Sequence, residues 1–203
     1  MSDFLLCIIS CHRYADRRRQ QRETWLKDYP YDYKYFLGEG PQLDEPDTVC
    51  LPVPDDYDHL PAKVQAVVRW AQSRGYRQLF KTDDETYVAP GRLLPPTAEY
   101  AGKVERHESG CQWANGGPGY WLGVECIATV AAAPDATTGA EDKWVAHVLS
   151  RANIYPEHDP RYSMPGRGRD YPRPSNDVIT FTGCCSISGA PSMYDIHKSF
   201  RQS

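Results

Sequence analysis

The chain has 203 residues, 40% of them apolar and 12% aromatic, which excludes a disordered polypeptide and allows one α/β domain with a real core. The formal net charge is −4, so the protein as a whole is not a binder of polyanions, and a nucleic-acid partner would need a local basic patch. The seven cysteines are odd in number and match no zinc-site spacing, which indicates mostly free thiols and a reducing compartment.

The chain opens on an apolar run, Phe4–Ile9, which predicts a strand buried on both faces of a parallel sheet. The run is too short for a signal peptide or a membrane span and lacks a basic leader, so we expect a soluble, cytoplasmic protein. Asp16 is expected to cap a helix over residues 17–26, which carries Arg18 and Arg22 on one face.

The next elements alternate between strand and helix. Strands are predicted at Tyr33–Leu37 and Thr48–Leu51, followed by a helix that begins at Pro61 and ends at Gly75, and then by a strand over Gln78–Thr82. This order predicts an α/β fold with a mostly parallel central sheet flanked by helices.

Three consecutive carboxylates, Asp83, Asp84 and Glu85, follow that strand. Such a concentration of negative charge is costly unless a cation lies nearby, and oxygen ligands favour Mg²⁺ or Mn²⁺. A solvated acidic turn would explain the run on its own. The position favours a metal site, because ligands of parallel sheets bind beyond the carboxyl ends of the strands.

The middle of the chain is predicted to contain a short helix at Pro90–Leu94 and a strand at Tyr100–Val104. A stretch rich in glycine and aromatic residues follows at residues 110–122. It fits a backbone that approaches a ligand closely beside a flat wall for a sugar ring. It fits equally a tight turn packed by core aromatics.

Two further helices are predicted, at Val124–Ala133 and Ala140–Leu149. Glu141 and Asp142 fall in the first turn of the second helix, where the helix dipole alone would favour carboxylates. A last strand, a C-terminal helix and the absence of a linker predict a single domain over residues 1–203.

Four motifs, in this order, resemble those of the beta-1,3-galactosyltransferase and Fringe-like glycosyltransferases. They are the arginine helix at residues 17–25, the acidic stretch at 81–88, the glycine-rich turn at 115–122 and the Glu-Asp helix start at 141–145. The resemblance implies a GT-A-type fold, which is a nucleotide-sugar-binding α/β sandwich. It also implies a UDP-sugar donor, a Mn²⁺ or Mg²⁺ ion at a DxD-like motif, and inversion at the anomeric carbon.

The resemblance also implies roles for particular residues. Asp142 would be the catalytic base, with Glu141 as the alternative. The metal would be held by the acidic triplet Asp83, Asp84 and Glu85, and Asp83 or Asp84 would also reach the donor.

Further donor contacts are expected from the arginine helix through Arg18 and Arg22, and from the glycine-rich turn through Gly116 and Gly117. Lys63 is a weaker donor-site candidate, because an exposed lysine on a helix is the commoner situation.

Two departures from the family pattern concern the metal. Glu85 stands where the third aspartate is usual, and no histidine occurs near residues 181–183, where some relatives place a metal ligand. His158, His197 or water remain alternatives for that ligand.

The acceptor expected by resemblance is a glycan or a glycolipid. A hydroxylated base of DNA is an alternative, because arginine and tyrosine alternate late in the chain and could hold phosphate and stack on bases. These residues are Arg161, Tyr162, Arg167, Arg169, Tyr171 and Arg173. A non-catalytic nucleotide- or carbohydrate-binding module is the third hypothesis. The expected absence of an anchor favours a bacterial, viral or cytosolic enzyme.

Overall fold

The computed structural model describes residues 4–164, 177–184 and 191–201. The strands within these ranges are β1 (Phe4–Ile9), β2 (Tyr33–Leu37), β3 (Thr48–Cys50), β4 (Gln78–Asp83), β5 (Tyr87–Val88), β6 (Tyr100–Gly102), β7 (Val104–Arg106), β8 (Gln112–Ala114), β9 (Tyr120–Leu122), β10 (Glu157–His158), β11 (Tyr162–Ser163) and β12 (Thr180–Phe181). The helices are α1 (Ala15–Glu23), α2 (Leu60–Ser73), α3 (Val124–Ala132), α4 (Glu141–Ser150) and α5 (Met193–Arg201).

A seven-stranded sheet in the order β10-β6-β9-β4-β1-β2-β3 forms the centre of the molecule. Strands β4, β1, β2 and β3 are parallel to one another, and β10 is parallel to β6. Only β9 runs antiparallel to both of its neighbours in this sheet, β4 and β6. The predicted α/β class with a mostly parallel sheet is therefore confirmed.

The central strand β1 contributes to a core on each face of the sheet. Phe4, Leu6 and Ile8 pack into one cluster, and the alternate residues, such as Leu5 and Cys7, pack into the other. Successive side chains of a strand point to opposite faces, so an unbroken apolar run is what a doubly covered strand requires. On the second face, α2 and α4 cover the sheet with apolar residues at helical spacing.

Three local predictions differ from the structure. Asp16 does not cap α1 but lies in its first turn, where it pairs with Arg19 at 3.1 Å. The predicted helix at Pro90–Leu94 is wrong, because Gly91 has a φ of +79°, which no right-handed helix contains. The predicted strand at Tyr100–Val104 is interrupted after Gly102, and a separate strand begins at Val104.

Outside the central sheet lie a β7-β8 hairpin and a three-stranded sheet of β11, β12 and β5. The sequence did not predict β5, β8 or β9, which are only two or three residues long. Within the described ranges, Cys7, Cys11, Cys50, Cys111 and Cys126 are free thiols, in agreement with the prediction of mostly free thiols.

Candidate active site

A cavity of about 680 Å³ opens beyond the carboxyl ends of β1 and β4. Its lining comes from the segment after β1, from α1, from the loop before α2 and from the acidic triplet after β4. The lining residues that carry charge or a ring hydroxyl are His12, Arg13, Tyr14, Arg17, Asp55, Asp56, Tyr57, Lys63, Asp83, Asp84 and Glu85. Adjacent parallel strands bring these loops to one edge of the sheet, which is where such folds bind ligands.

The middle carboxylate of the triplet, Asp84, is anchored in the protein. Its Oδ2 accepts a hydrogen bond from Ser10 Oγ at 2.7 Å, and its Oδ1 accepts one from Arg17 at 2.9 Å. Arg17 also reaches Glu85, at 3.3 Å. Burial raises the pKa of Asp84, and the bonds from Ser10 and Arg17 oppose that rise. Asp84 thus ties the triplet to β1 and α1.

The first carboxylate, Asp83, faces a buried lysine of its own strand. Lys81 Nζ lies 2.8 Å from Asp83 Oδ1, and it also contacts Glu141 Oε1 at 2.5 Å and the carbonyl oxygen of Gly116 at 3.1 Å. Burial raises the pKa of Asp83 to about 6, partly offset by Lys81. Burial alone would lower the pKa of Lys81, but the carboxylates of Asp83 and Glu141 raise it, so the ammonium stays charged.

Glu141 is buried at the start of α4, with 6% of its surface exposed. Its second oxygen accepts a hydrogen bond from Tyr120 at 2.8 Å. Burial raises the pKa of Glu141, and Lys81 counteracts this. Both oxygens of Glu141 are therefore occupied by protein donors, an arrangement that suits a structural role.

Asp142, the next residue, is more open. Its Oδ2 accepts a hydrogen bond from the backbone of Gly116 at 3.2 Å, and its Oδ1 accepts one from the backbone of Lys143 at 2.8 Å. The structure thus connects three of the four sequence motifs through Lys81, Glu141 and Asp142. Of the two predicted candidates for the base, Asp142 is half-buried and Glu141 is buried, and neither residue lines the cavity.

The two glycines of the predicted donor site differ in their surroundings. A Cβ on Gly116 would lie 2.0 Å from Glu141 Oε1, whereas one on Gly117 would meet ordinary contacts beginning at 3.4 Å. Gly116 is thus required for the close approach of the turn to Glu141. Tyr120 and Trp121 are buried core residues, so the expected aromatic wall for a sugar is wrong at these two positions.

The predicted donor-site arginines, Arg18 and Arg22, lie outside the cavity lining. Arg18 is buried and donates to the carbonyl oxygen of Cys11 at 2.7 Å. Arg22 donates to Glu45 and Asp47, each at 2.7 Å.

Arg13 and Arg17 line the cavity instead, and sequence reasoning missed both. The signal that could have pointed to Arg17 was Gln21, a polar residue one turn later on the same face of the helix. Gln21 donates a hydrogen bond to the carbonyl oxygen of Thr86, just beyond the triplet.

Lys63 lines the cavity, and it is not the exposed helix lysine that the sequence favoured. Its surface is 1% exposed, and its ammonium donates to Asp55 Oδ1 at 2.6 Å and to the carbonyl oxygen of Ser10 at 3.1 Å. Lys63 thus holds the loop before α2 against the end of β1.

The chemistry of the triplet fits a divalent cation that retains part of its water shell. Across the described part of the chain, Asp83 Oδ2 and Glu85 Oε1 accept no hydrogen bond, and both residues line the cavity. No group of three or more His, Cys, Asp or Glu in that part is arranged to enclose a metal. Mg²⁺ commonly binds through one or two carboxylates together with substrate phosphates, so two free oxygens are a sufficient protein contribution.

Neither histidine considered as a further metal ligand lines the cavity. His158 Nδ1 accepts a hydrogen bond from the backbone of Val104, and His197 Nδ1 is 3.0 Å from the hydroxyl of Tyr87.

Of the residues proposed to contact DNA, Arg161 pairs with Asp159 at 2.7 Å, and Tyr162 is buried. The other four, Arg167, Arg169, Tyr171 and Arg173, lie outside the described residues.

The chain has an α/β fold that is similar to the fold of a solved glycosyltransferase. One similar structure is described as "a glycosyltransferase involved in the glycosylation of the major capsid of PBCV-1", with 15% identity over 98% of each chain and a TM-score of 0.58. The catalytic domain of Drosophila beta1,4-galactosyltransferase 7, crystallised with xylobiose, matches 76% of this chain and 63% of its own, with 11% identity and a TM-score of 0.46.

No model of a known protein family matches the sequence, and no curated protein matches it significantly. Among the residues that the structure describes, no helix combines the length and the apolar character needed to cross a membrane.

Proposed function

We propose that the protein is a metal-dependent inverting glycosyltransferase that moves a sugar from a UDP-sugar to the hydroxyl group of an acceptor. The observation that carries the proposal is the convergence of two carboxylate sets at one edge of the sheet. The acidic triplet lines the cavity beyond β1 and β4, and Lys81 joins it to the start of α4, where Asp142 lies. The similarity in fold to the PBCV-1 glycosyltransferase supports this choice of enzyme class.

The cavity suits a nucleoside diphosphate with a bound cation. Arg13 and Arg17 line it and offer guanidinium groups, the side chains best shaped for diphosphate oxygens. Asp83 and Glu85 offer the free carboxylate oxygens that would hold Mn²⁺ or Mg²⁺. When bound, such an ion would offset the negative charge that develops on the departing diphosphate.

Asp142 is assigned as the general base. Its carboxylate would accept the proton of the acceptor hydroxyl, whose oxygen then bonds to the anomeric carbon while the bond to the diphosphate breaks. A single displacement of this kind inverts the anomeric configuration. The backbone bond from Gly116 to Asp142 Oδ2 would hold the carboxylate in position and leave it accessible.

The test is a screen of UDP-sugars for release of UDP by the full chain, in the presence and absence of Mn²⁺ or Mg²⁺. We expect release from one donor, loss of release on addition of EDTA, and recovery when excess metal is returned. UDP binding by calorimetry should show the same metal dependence.

Release that persists in EDTA would contradict the metal requirement. Absence of both UDP binding and release would favour the non-catalytic module. Acceptor trials with glycans, a glycolipid head group and DNA with hydroxylated bases would follow with the active donor.

A further inference from the structure

A second groove, of about 580 Å³, lies between the β7-β8 hairpin and the outer face of α4. Gln112 and Trp113 form part of its hairpin wall, and Lys143 and His147 form part of its helix wall. Tyr155, with 56% of its surface exposed, lies at its edge. None of these residues belongs to the donor cavity described above.

Each wall of the groove continues into a segment that carries the proposed base or its hydrogen-bond partner. Lys143 directly follows Asp142 on α4, and Trp113 precedes Gly116 by three residues after β8. Asp142 and Gly116 are joined by the hydrogen bond of 3.2 Å from the backbone of Gly116. Asp142 is not itself a lining residue, but the groove begins at Lys143, one residue beyond it on α4.

The groove is also elongated. Its helix wall runs from Lys143 to Ser150, which corresponds to about 10 Å along the helix axis at the usual rise per residue. An occupant whose reactive hydroxyl reaches Asp142 would thus extend along α4 beyond a single sugar ring.

The lining of the groove contains a cationic side chain and no carboxylate. It includes Lys143, His107 and His147, and it contains no Asp or Glu among the described residues. Two carboxylates of the hairpin lie beside the lining: Glu108 stands between the lining residues His107 and Ser109, and Glu105 is opposite Trp113 in the strand register and forms an ion pair with Lys103. In a protein of net charge −4, a groove lined by a lysine and by no carboxylate favours an anion.

The aromatic side chains suit a carbohydrate. Trp113 is half-buried, and its ring lies 4.8 Å from Lys143 Nζ, so the ammonium sits beside an apolar surface. Apolar faces with a few placed polar groups are the usual composition of a small-ligand site, and a sugar ring offers both kinds of surface.

From these observations we infer that the groove between the β7-β8 hairpin and α4 is an acceptor subsite for an oligosaccharide that carries an anionic substituent. The inference rests on the proposed transferase function, because it uses the nearness of the groove to Asp142. The substituent is a carboxylate, a sulfate or a phosphate, which share the negative charge that Lys143 would bind.

The experiment uses a glycan array printed with matched pairs that differ only in a carboxylate, sulfate or phosphate group. The full chain is compared with Lys143→Met and with Lys27→Met, which removes an equal charge from an exposed position outside both cavities. We expect the protein to retain an anionic glycan over its neutral partner. This preference should fall about tenfold in Lys143→Met and remain in Lys27→Met, since one charge-assisted hydrogen bond is lost.

Equal retention of the anionic and neutral partners, or an equal loss in both variants, would overturn the inference, and so would the absence of glycan binding. Comparison of the carboxylate, sulfate and phosphate pairs identifies the substituent. The array measures binding alone, so its outcome is separate from that of UDP release. A chain that binds anionic glycans through Lys143 but releases no UDP would refute the transferase function and retain the groove as a binding site.

Discussion

The ammonium of Lys81 lies 2.5 Å from Glu141 Oε1, and this buried ion pair connects two motifs that are 60 residues apart. The same ammonium contacts Asp83 and the carbonyl oxygen of Gly116. One lysine thus joins the acidic triplet, the glycine-rich turn and the start of α4. Because Lys81, Glu141 and Gly116 are buried, the position of Asp142 relative to the cavity beyond β1 and β4 depends on this network.

Replacement of Lys81 by Met should destabilise the protein by roughly 3–5 kcal/mol, because it leaves the buried carboxylate of Glu141 without its counter-charge. The double variant Lys81→Met/Glu141→Gln should lose less unfolding free energy than the two single variants lose in sum. Urea unfolding of the four proteins measures this coupling. Strict additivity would mean that the two side chains do not stabilise each other.

Asp142→Asn should retain UDP binding and lose transfer by about 10²–10⁴-fold, since the amide cannot accept the acceptor proton. The change preserves the size of the side chain and one oxygen that Gly116 can reach. Calorimetry with UDP and product analysis with the active acceptor measure the two properties separately. Transfer at the normal rate would remove Asp142 from the role of base.

Gly116→Ala should reduce both stability and transfer, because the new Cβ would lie 2.0 Å from Glu141 Oε1 and displace the partner of Lys81. Gly117→Ala is the matched control, since its Cβ would meet ordinary contacts only. Thermal unfolding and turnover are the measurements. Similar behaviour of the two variants would argue against a special role for the close approach at Gly116.

Arg17→Met should weaken UDP binding about 10- to 100-fold at saturating Mn²⁺, the usual range for the loss of a hydrogen bond to a charged group. Arg22→Met changes another arginine of the same helix, but one outside the cavity lining. The Arg22→Met variant should bind UDP with normal affinity, even if its free energy of unfolding decreases. If instead Arg22→Met weakened UDP binding and Arg17→Met did not, the donor contact would be assigned to Arg22, as the family resemblance implies.

Glu45 should contribute to stability in a way that depends on pH. Burial by itself raises the pKa of Glu45, but hydrogen bonds from Arg22, Thr48 and Arg18 outweigh it and lower the pKa to about 2, from an ordinary 4.5. The lowered pKa means that this stabilisation is complete above pH 4.5 and disappears as the pH falls towards 2.

Glu45→Gln should therefore be less stable than the parent at pH 7, by roughly 1–3 kcal/mol, and the difference should shrink in acid. Asp44→Asn, at the exposed neighbouring position, is the control. Urea unfolding between pH 2 and 7 measures both variants. A difference that is independent of pH would mean that the charge of Glu45 is not the source of its contribution.

Much of the architecture follows from local sequence. The unbroken apolar run Phe4–Ile9 is typical of a strand covered on both faces, and the apolar spacing of α2 is typical of a helix packed on one side. The position of the acidic triplet at the end of β4 was also predictable, because the triplet follows a predicted strand in the alternating order of strands and helices. Short strands such as β9 could not be predicted, because a pattern of three residues is too short to identify an antiparallel partner.

The sequence by itself determined the α/β class, the order of the long elements and the presence of carboxylates at a strand end and a helix start. Only the tertiary structure decided which side chains meet. It directs Arg17 rather than Arg18 or Arg22 into the cavity, and it buries Lys63 and Lys81 as cross-links. The reason is physical: periodicity reports which face of an element is apolar, whereas the partner of a buried charge depends on how distant elements pack.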